Sequence, residues 1–308
     1  MKAIYWTIIL LTFLIILFYF TKIESKTVNE NFEVKTPRII WTYWENLNGS
    51  TEYPTHIKLC LETFEKHFKK YKLIILNEKT IKDYIPNIRN DFDNLLIAQK
   101  VDYYRIALLE KYGGIWVDAD TIIMRNFDEI FDKLDNGYDF VGFGCTGTIC
   151  FNGKYRPSNW LLASKSNGLL MKTTLDLLNE KLDKLKLTKT TSNQSTSTQS
   201  ILNQSGYHDF GKIVIWQAID ILRKKYNYDY FHYGAEYDGS RDLEGHWIET
   251  SRHFDTKNID LLDESKLVLV FLTNSGINEQ QHWVKTTQRE KLLNGPYWIS
   301  KYFRKSLG

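Results

Sequence analysis

The chain has 308 residues, 43% of them hydrophobic and 15% aromatic, and its 40 Lys and Arg nearly balance 37 Asp and Glu, leaving a net charge of +3. So small a charge, with no basic stripe and no nucleic-acid motif, gives no ground for DNA or RNA binding. The apolar content supports one large α/β domain with a sizeable core.

Residues 3–21 carry no charge and are dominated by Ile, Leu and Phe, with Trp6 and Tyr19 near the two ends. That length is enough to cross a bilayer as a helix with aromatic residues at the interfaces. A cleaved signal peptide would have a shorter apolar core and a small-residue cleavage site. The expected organisation is therefore a transmembrane signal anchor over 1–23, a short polar stem over 24–35, and one large α/β domain over 36–308. Lys2 on one side and Lys22 with Lys26 on the other set no orientation. A single-pass type II protein with a lumenal domain and a protein on the cytoplasmic face of a bacterial inner membrane both remain open.

Within the domain, 38–44 reads as a first buried strand, and 54–68 as an amphipathic helix with Ile57, Leu61, Phe64 and Phe68 at core spacing. Residues 73–76 form a second buried strand. Later strands are expected at 139–144, 158–163 and 266–273, with a long helix over 169–187 and a Ser/Thr-rich loop over 188–200. Alternating strands and helices argue for a mostly parallel sheet covered on both faces. Of the three cysteines, Cys60 on the first helix reads as a small core residue, whereas Cys145 and Cys150 are free to pair in an oxidising compartment. Sequons at 48–50, 193–195 and 203–205 matter only for a lumenal domain.

The stretch 101–120, VDYYRIALLEKYGGIWVDAD, carries the chemistry. Its first half is helical, with Val101, Tyr104 and Leu108 on one face. Gly113-Gly114 stops the helix, and 115–117 is a buried strand ending in Asp118-Ala119-Asp120. Side chains at i and i+2 of an extended chain share a side, so both carboxylates aim at one point beyond the strand. Their repulsion is relieved by a divalent cation, and oxygen-only ligation suits Mn²⁺ or Mg²⁺. The plainer alternative is a turn or helix cap. An EF-hand loop starting at Asp118 fails, because Ile122 and Ile123 fall where a ligand and the obligatory Gly belong. A glycoside hydrolase would need a further, correctly placed acid. Asp102 and Arg105 lie i, i+3 on a face distinct from the apolar one, and a surface ion pair is the ordinary explanation.

The ordered run of Asp102, Arg105, Leu109, Gly113, Gly114, Ile115, Trp116, Asp118 and Asp120 resembles the signature of DXD glycosyltransferases with the sugar-binding region, a family 32-type group. That group includes yeast-type initiating mannosyltransferases, capsular polysaccharide synthesis proteins and, more distantly, the large clostridial glucosylating toxins. The resemblance implies a GT-A domain, Rossmann-like, that moves a sugar from a UDP- or GDP-sugar to a hydroxyl of a glycan or other acceptor with retention of configuration. It implies that Asp102 and Arg105 hold donor-sugar hydroxyls, that Asp118 meets sugar, ribose or metal, and that Asp120 is the principal metal ligand. Trp41, in the opening Pro-Arg-Ile-Ile-Trp segment, and Trp116 become candidates for donor contact, Trp41 by stacking on the base or else as a core aromatic. Asn159 is a further donor-side candidate. His282, beside Trp283, is the candidate third metal ligand, with His246-Trp247 as a competing copy. A catalytically inactive carbohydrate-binding or assembly subunit of the same fold is the rival reading.

Overall fold

The computed structural model describes residues 35–46, 50–89, 92, 95–144, 155–191, 210–274, 277, 281 and 283–308. The expected anchor and stem, Cys145, Cys150, His282 and the core of all three sequons lie outside the described residues. Among the described residues no helix is long and apolar enough to cross a membrane.

The domain over Thr36–Gly308 is a compact unit. It is built on a six-stranded sheet of β1 (Ile39–Tyr43), β2 (Lys72–Leu76), β3 (Gly114–Val117), β5 (Phe140–Phe143), β6 (Leu161–Ser164) and β7 (Phe231–Tyr233). The order is β2-β1-β3-β6-β5-β7. β1 pairs in parallel with β2 and β3, and β5 with β7, while β6 runs antiparallel between β3 and β5. Five strands therefore point the same way, and the ends of β1, β3, β5 and β7 share one edge with the start of β6. Ligands of open α/β sheets bind along that edge.

Side chains alternate across the sheet as a period of two requires. Trp41, Trp116 and Leu162 face the helices Ile97–Tyr112, Leu169–Thr191 and Lys212–Tyr226. Ile40, Ile115, Val117 and Ala163 face the helices Thr55–His67 and Asp128–Asp135. The mostly parallel sheet covered on both faces is thus present. Thr55–His67 also supports a third apolar layer, in which Leu59 and Cys60 meet Ile122, Val270 and the C-terminal helix Trp298–Leu307.

Two expectations need correction. The strand expected over 158–163 starts only at Leu161, because the chain bends at Asn159 and Trp160, although the Ser158 N–H still donates to Phe143 O and Trp160 O still accepts from the Asp118 N–H. The strand expected over 266–273 shortens to β8, Leu269–Phe271, and joins not the main sheet but β4 (Thr121–Ile123) in a separate antiparallel pair. An apolar run reports burial, not which sheet supplies it.

Gly113 and Gly114 connect the central helix to β3 at close quarters. Both have positive φ, 68° and 96°. A Cβ on Gly113 would lie 2.6 Å from Ser166 N, and one on Gly114 would lie 2.5 Å from Ile39 O. Only residues without a side chain let the helix end this close to β1.

Candidate functional site

β3 delivers Asp118 to the edge of the sheet, where its backbone N–H donates to Trp160 O at 2.9 Å. The chain bends there, and β4 then carries it away, leaving Asp120 6% exposed. From the other side, the helix Ile97–Tyr112 presents Asp102 and Arg105, which are 3% and 6% exposed. The i, i+3 pair is therefore no surface contact. Arg105 Nη2 lies 3.3 Å from Asp102 Oδ1 and 3.4 Å from Asp118 Oδ1, so one guanidinium bridges helix and strand. Its Nη1 donates to Asn159 O, and its Cζ stands 5.3 Å over the Trp116 ring. Asn159 Nδ2 donates to Asp102 Oδ1 at 2.8 Å, and Trp116 Nε1 donates to Asp118 Oδ1 at 2.7 Å.

The electrostatics follow from burial. Asp102 is pushed up to about 6 chiefly by desolvation, with the Arg105 charge opposing. Asp118 is raised for the same reason, again opposed by Arg105. Asp120 reaches about 7 because burial is reinforced by the neighbouring Asp118 charge. Two carboxylates that burden each other in this way, with oxygen donors only, fit a hard divalent cation such as Mn²⁺ or Mg²⁺, which would remove that repulsion.

Asp102, Arg105, Trp116, Asp118, Asp120 and Asn159 therefore converge. Trp116 is fully buried and orients Asp118 rather than offering its own face. Trp41 does not join them. It is 1% exposed, donates from Nε1 to Gly113 O at 2.9 Å at the opposite end of β3, and packs edge-on against Tyr84. That makes it a core aromatic with no face free for a base. The competing His246 has a side chain 75% exposed and lies 3.6 Å from Asp242. Asp242, Glu244 and His246 bring ligand atoms within 4.8 Å of one another, but Asp242 already accepts from the His246 N–H and from Arg252. Asp238, an acid otherwise eligible as a base, is fully buried, with Oδ1 accepting from the Ser240 N–H.

Two participants carry no local sequence signal. Asn274 donates its backbone N–H to Asp120 Oδ2 at 2.5 Å from the segment after β8. Gly211 closes over Asp102 and Asn159, since a Cβ there would lie 2.4 Å from Asp102 Oδ2 and 2.7 Å from Asn159 Nδ2.

No curated protein matches the chain. Among solved structures it is similar to the PaToxG glycosyltransferase, with 14% identity over 89% of this chain and 87% of that one and a TM-score of 0.37. It is also similar to the glycosyltransferase GlyE of Streptococcus pneumoniae, with 13% identity over 87% of this chain and a TM-score of 0.42, although it spans only 64% of GlyE. For the galactosyltransferase LgtC, solved with donor and acceptor sugar analogs, identity is 11% over 84% of this chain and 99% of that one, with a TM-score of 0.37. Values this low support no conclusion by themselves. The model of the capsular polysaccharide synthesis protein family, however, matches residues 15–188, more than half of the 308, including Asp102, Arg105, Asp118 and Asp120. The chain belongs to the capsular polysaccharide synthesis protein family.

Proposed function

We propose that the protein is a metal-dependent, retaining glycosyltransferase of the GT-A type that transfers a sugar from a nucleotide diphosphate to a hydroxyl of a glycan or other acceptor. The observation that carries this reading is the convergence of Asp102, Arg105, Asp118 and Asp120 at the ligand-binding edge of the sheet. Family membership and the capsular assignment favour a sugar-polymer acceptor.

Asp118 and Asp120 would hold Mn²⁺ or Mg²⁺, with His282 as a further ligand. When bound, such an ion offsets the negative charge that gathers on the departing diphosphate. Arg105 is held by two carboxylates and two carbonyls, so its guanidinium is fixed before substrate arrives and directs donor hydroxyls at little reorganisation cost. Asp102 fixes Arg105 from behind and would meet a donor hydroxyl itself. Asn159 sets the Asp102 carboxylate plane. Burial of Asp238 removes one competing base, which favours attack from the same face as the leaving phosphate.

The test is product analysis. Incubation with a matching α-linked UDP- or GDP-sugar and a capsular oligosaccharide acceptor is expected to release nucleoside diphosphate and yield an α-linkage by the anomeric proton coupling. A β-linkage overturns the retaining mechanism. The apolar segment 3–21 supports a membrane anchor, with either orientation. A chain beginning at Thr36 is then expected to leave the membrane fraction with turnover intact, and its retention after a carbonate wash contradicts a single N-terminal anchor.

A further inference from the structure

We propose that His56 is a positioning residue for the Asp120 carboxylate and acts through Asn274. The inference rests on the reading that Asp120 holds the donor's cation. His56 lies in the first turn of the helix Thr55–His67 and is fully buried. Its Nε2 is 3.1 Å from Asn274 Oδ1, and the Trp44 ring stands edge-on at 6.3 Å. Burial keeps the ring neutral. Facing a carbonyl oxygen, Nε2 therefore carries the proton and Nδ1 is an acceptor, and Nδ1 is buried with no partner among the described residues. An orphaned buried acceptor costs on the order of 1–3 kcal/mol, which an aliphatic side chain at this buried position of the amphipathic helix would avoid. An imidazole at that position is accounted for by a use of its other nitrogen.

That use is visible in the backbone it reaches. Thr273 has φ 55°, a left-handed conformation that a β-branched residue adopts only when its surroundings impose it. On either side of Thr273, the Leu272 N–H donates to Asp120 O at 3.0 Å and the Asn274 N–H to Asp120 Oδ2 at 2.5 Å. The strained residue is thus the middle of a clasp on Asp120. His56 grips the far end of the clasp and prevents Thr273 from relaxing to an extended conformation that would swing the Asn274 N–H away. Adjacent Thr55 donates from Oγ1 to Thr287 O at 2.7 Å, so the same helical turn ties a second C-terminal segment in place.

The test is a titration of the full chain with MnCl₂ alone, following free Mn²⁺ by electron paramagnetic resonance. His56→Leu keeps volume and loses the donor, and it is expected to weaken Mn²⁺ binding about tenfold, one hydrogen bond's worth. Asn274→Ala removes the side-chain amide, and with it the acceptor Oδ1, from a half-buried site and is expected to reproduce that loss, so the proposal stays testable if the core variant does not fold. The two losses are expected not to add in the double variant. His56→Gln, which returns an N–H donor, is expected to recover most of the affinity. Asp120→Asn separates the two layers of the inference. If it abolishes binding while His56→Leu and Asn274→Ala bind as wild type, the metal reading stands and the positioning role is overturned. If wild type binds no Mn²⁺, or Asp120→Asn binds as well as wild type, the metal reading falls and takes the proposal with it.

Discussion

At the residue scale, Arg105 is the side chain on which the site depends most. Its guanidinium is the cation placed beside both Asp102, which is buried, and Asp118, which is half-buried, and it opposes the desolvation that raises both carboxyls. Removing one partner of a buried ion pair leaves uncompensated charge. Arg105→Ala is therefore expected to cost about 3 kcal/mol of stability at neutral pH and to remove turnover. The sign of the pH dependence follows from Asp102. Its folded pKa lies above the unfolded value, so the folded state keeps a proton that the unfolded state has released, and stability falls as pH rises from about 4 to about 6. Without Arg105 that window extends upward, and the variant's deficit grows between about pH 5 and pH 8. Urea unfolding at the two pH values checks this. A deficit of a few tenths of a kcal/mol, equal at both, would mean an ordinary surface pair.

At the element scale, the junction between the helix Ile97–Tyr112 and β3 sets the distance between Asp102 and Arg105 on one side and Asp118 and Asp120 on the other. Gly114→Ala puts a Cβ at positive φ and 2.5 Å from Ile39 O, on the strand that pairs with β3. Strain and clash together are expected to cost at least about 3 kcal/mol and to disrupt the site along with the sheet. Stability within about 1 kcal/mol of wild type in urea would show that the junction tolerates a side chain. This junction was legible in the sequence because a Gly pair between two periodic patterns has few other meanings. So were β1, β2 and the two amphipathic helices, whose spacing is local information. What was not legible depends on contacts between distant segments. Nothing local says that β8 pairs with β4, that Trp41 turns its indole to Gly113 O, or that Gly211 roofs Asp102. The Asn274 contribution is a backbone N–H, which any residue type carries, and the turn presenting it is held by a Thr rather than the Gly that left-handed φ usually demands.

At the scale of the whole molecule, a mostly parallel sheet brings the ends of β1, β3, β5 and β7 to one edge. The acids after β3 lie on that edge beside Asp102 and Arg105 from the central helix and the Asn274 N–H after β8. On the proposed reading, that convergence receives one ligand, a nucleotide sugar with its cation. The measurement that tests it most directly is the unfolding midpoint of wild type and Asp120→Asn against a panel of UDP- and GDP-sugars, with Mn²⁺ and with chelator. A ligand that binds only the folded state at about 100 times its Kd adds about 2.7 kcal/mol, which raises the midpoint by roughly 5 °C for a domain of this size. The account predicts that at least one nucleotide sugar raises the wild-type midpoint with Mn²⁺ and not with chelator, and that Asp120→Asn folds normally and does not respond. An equal rise in Asp120→Asn, or no rise with any nucleotide sugar, would contradict it.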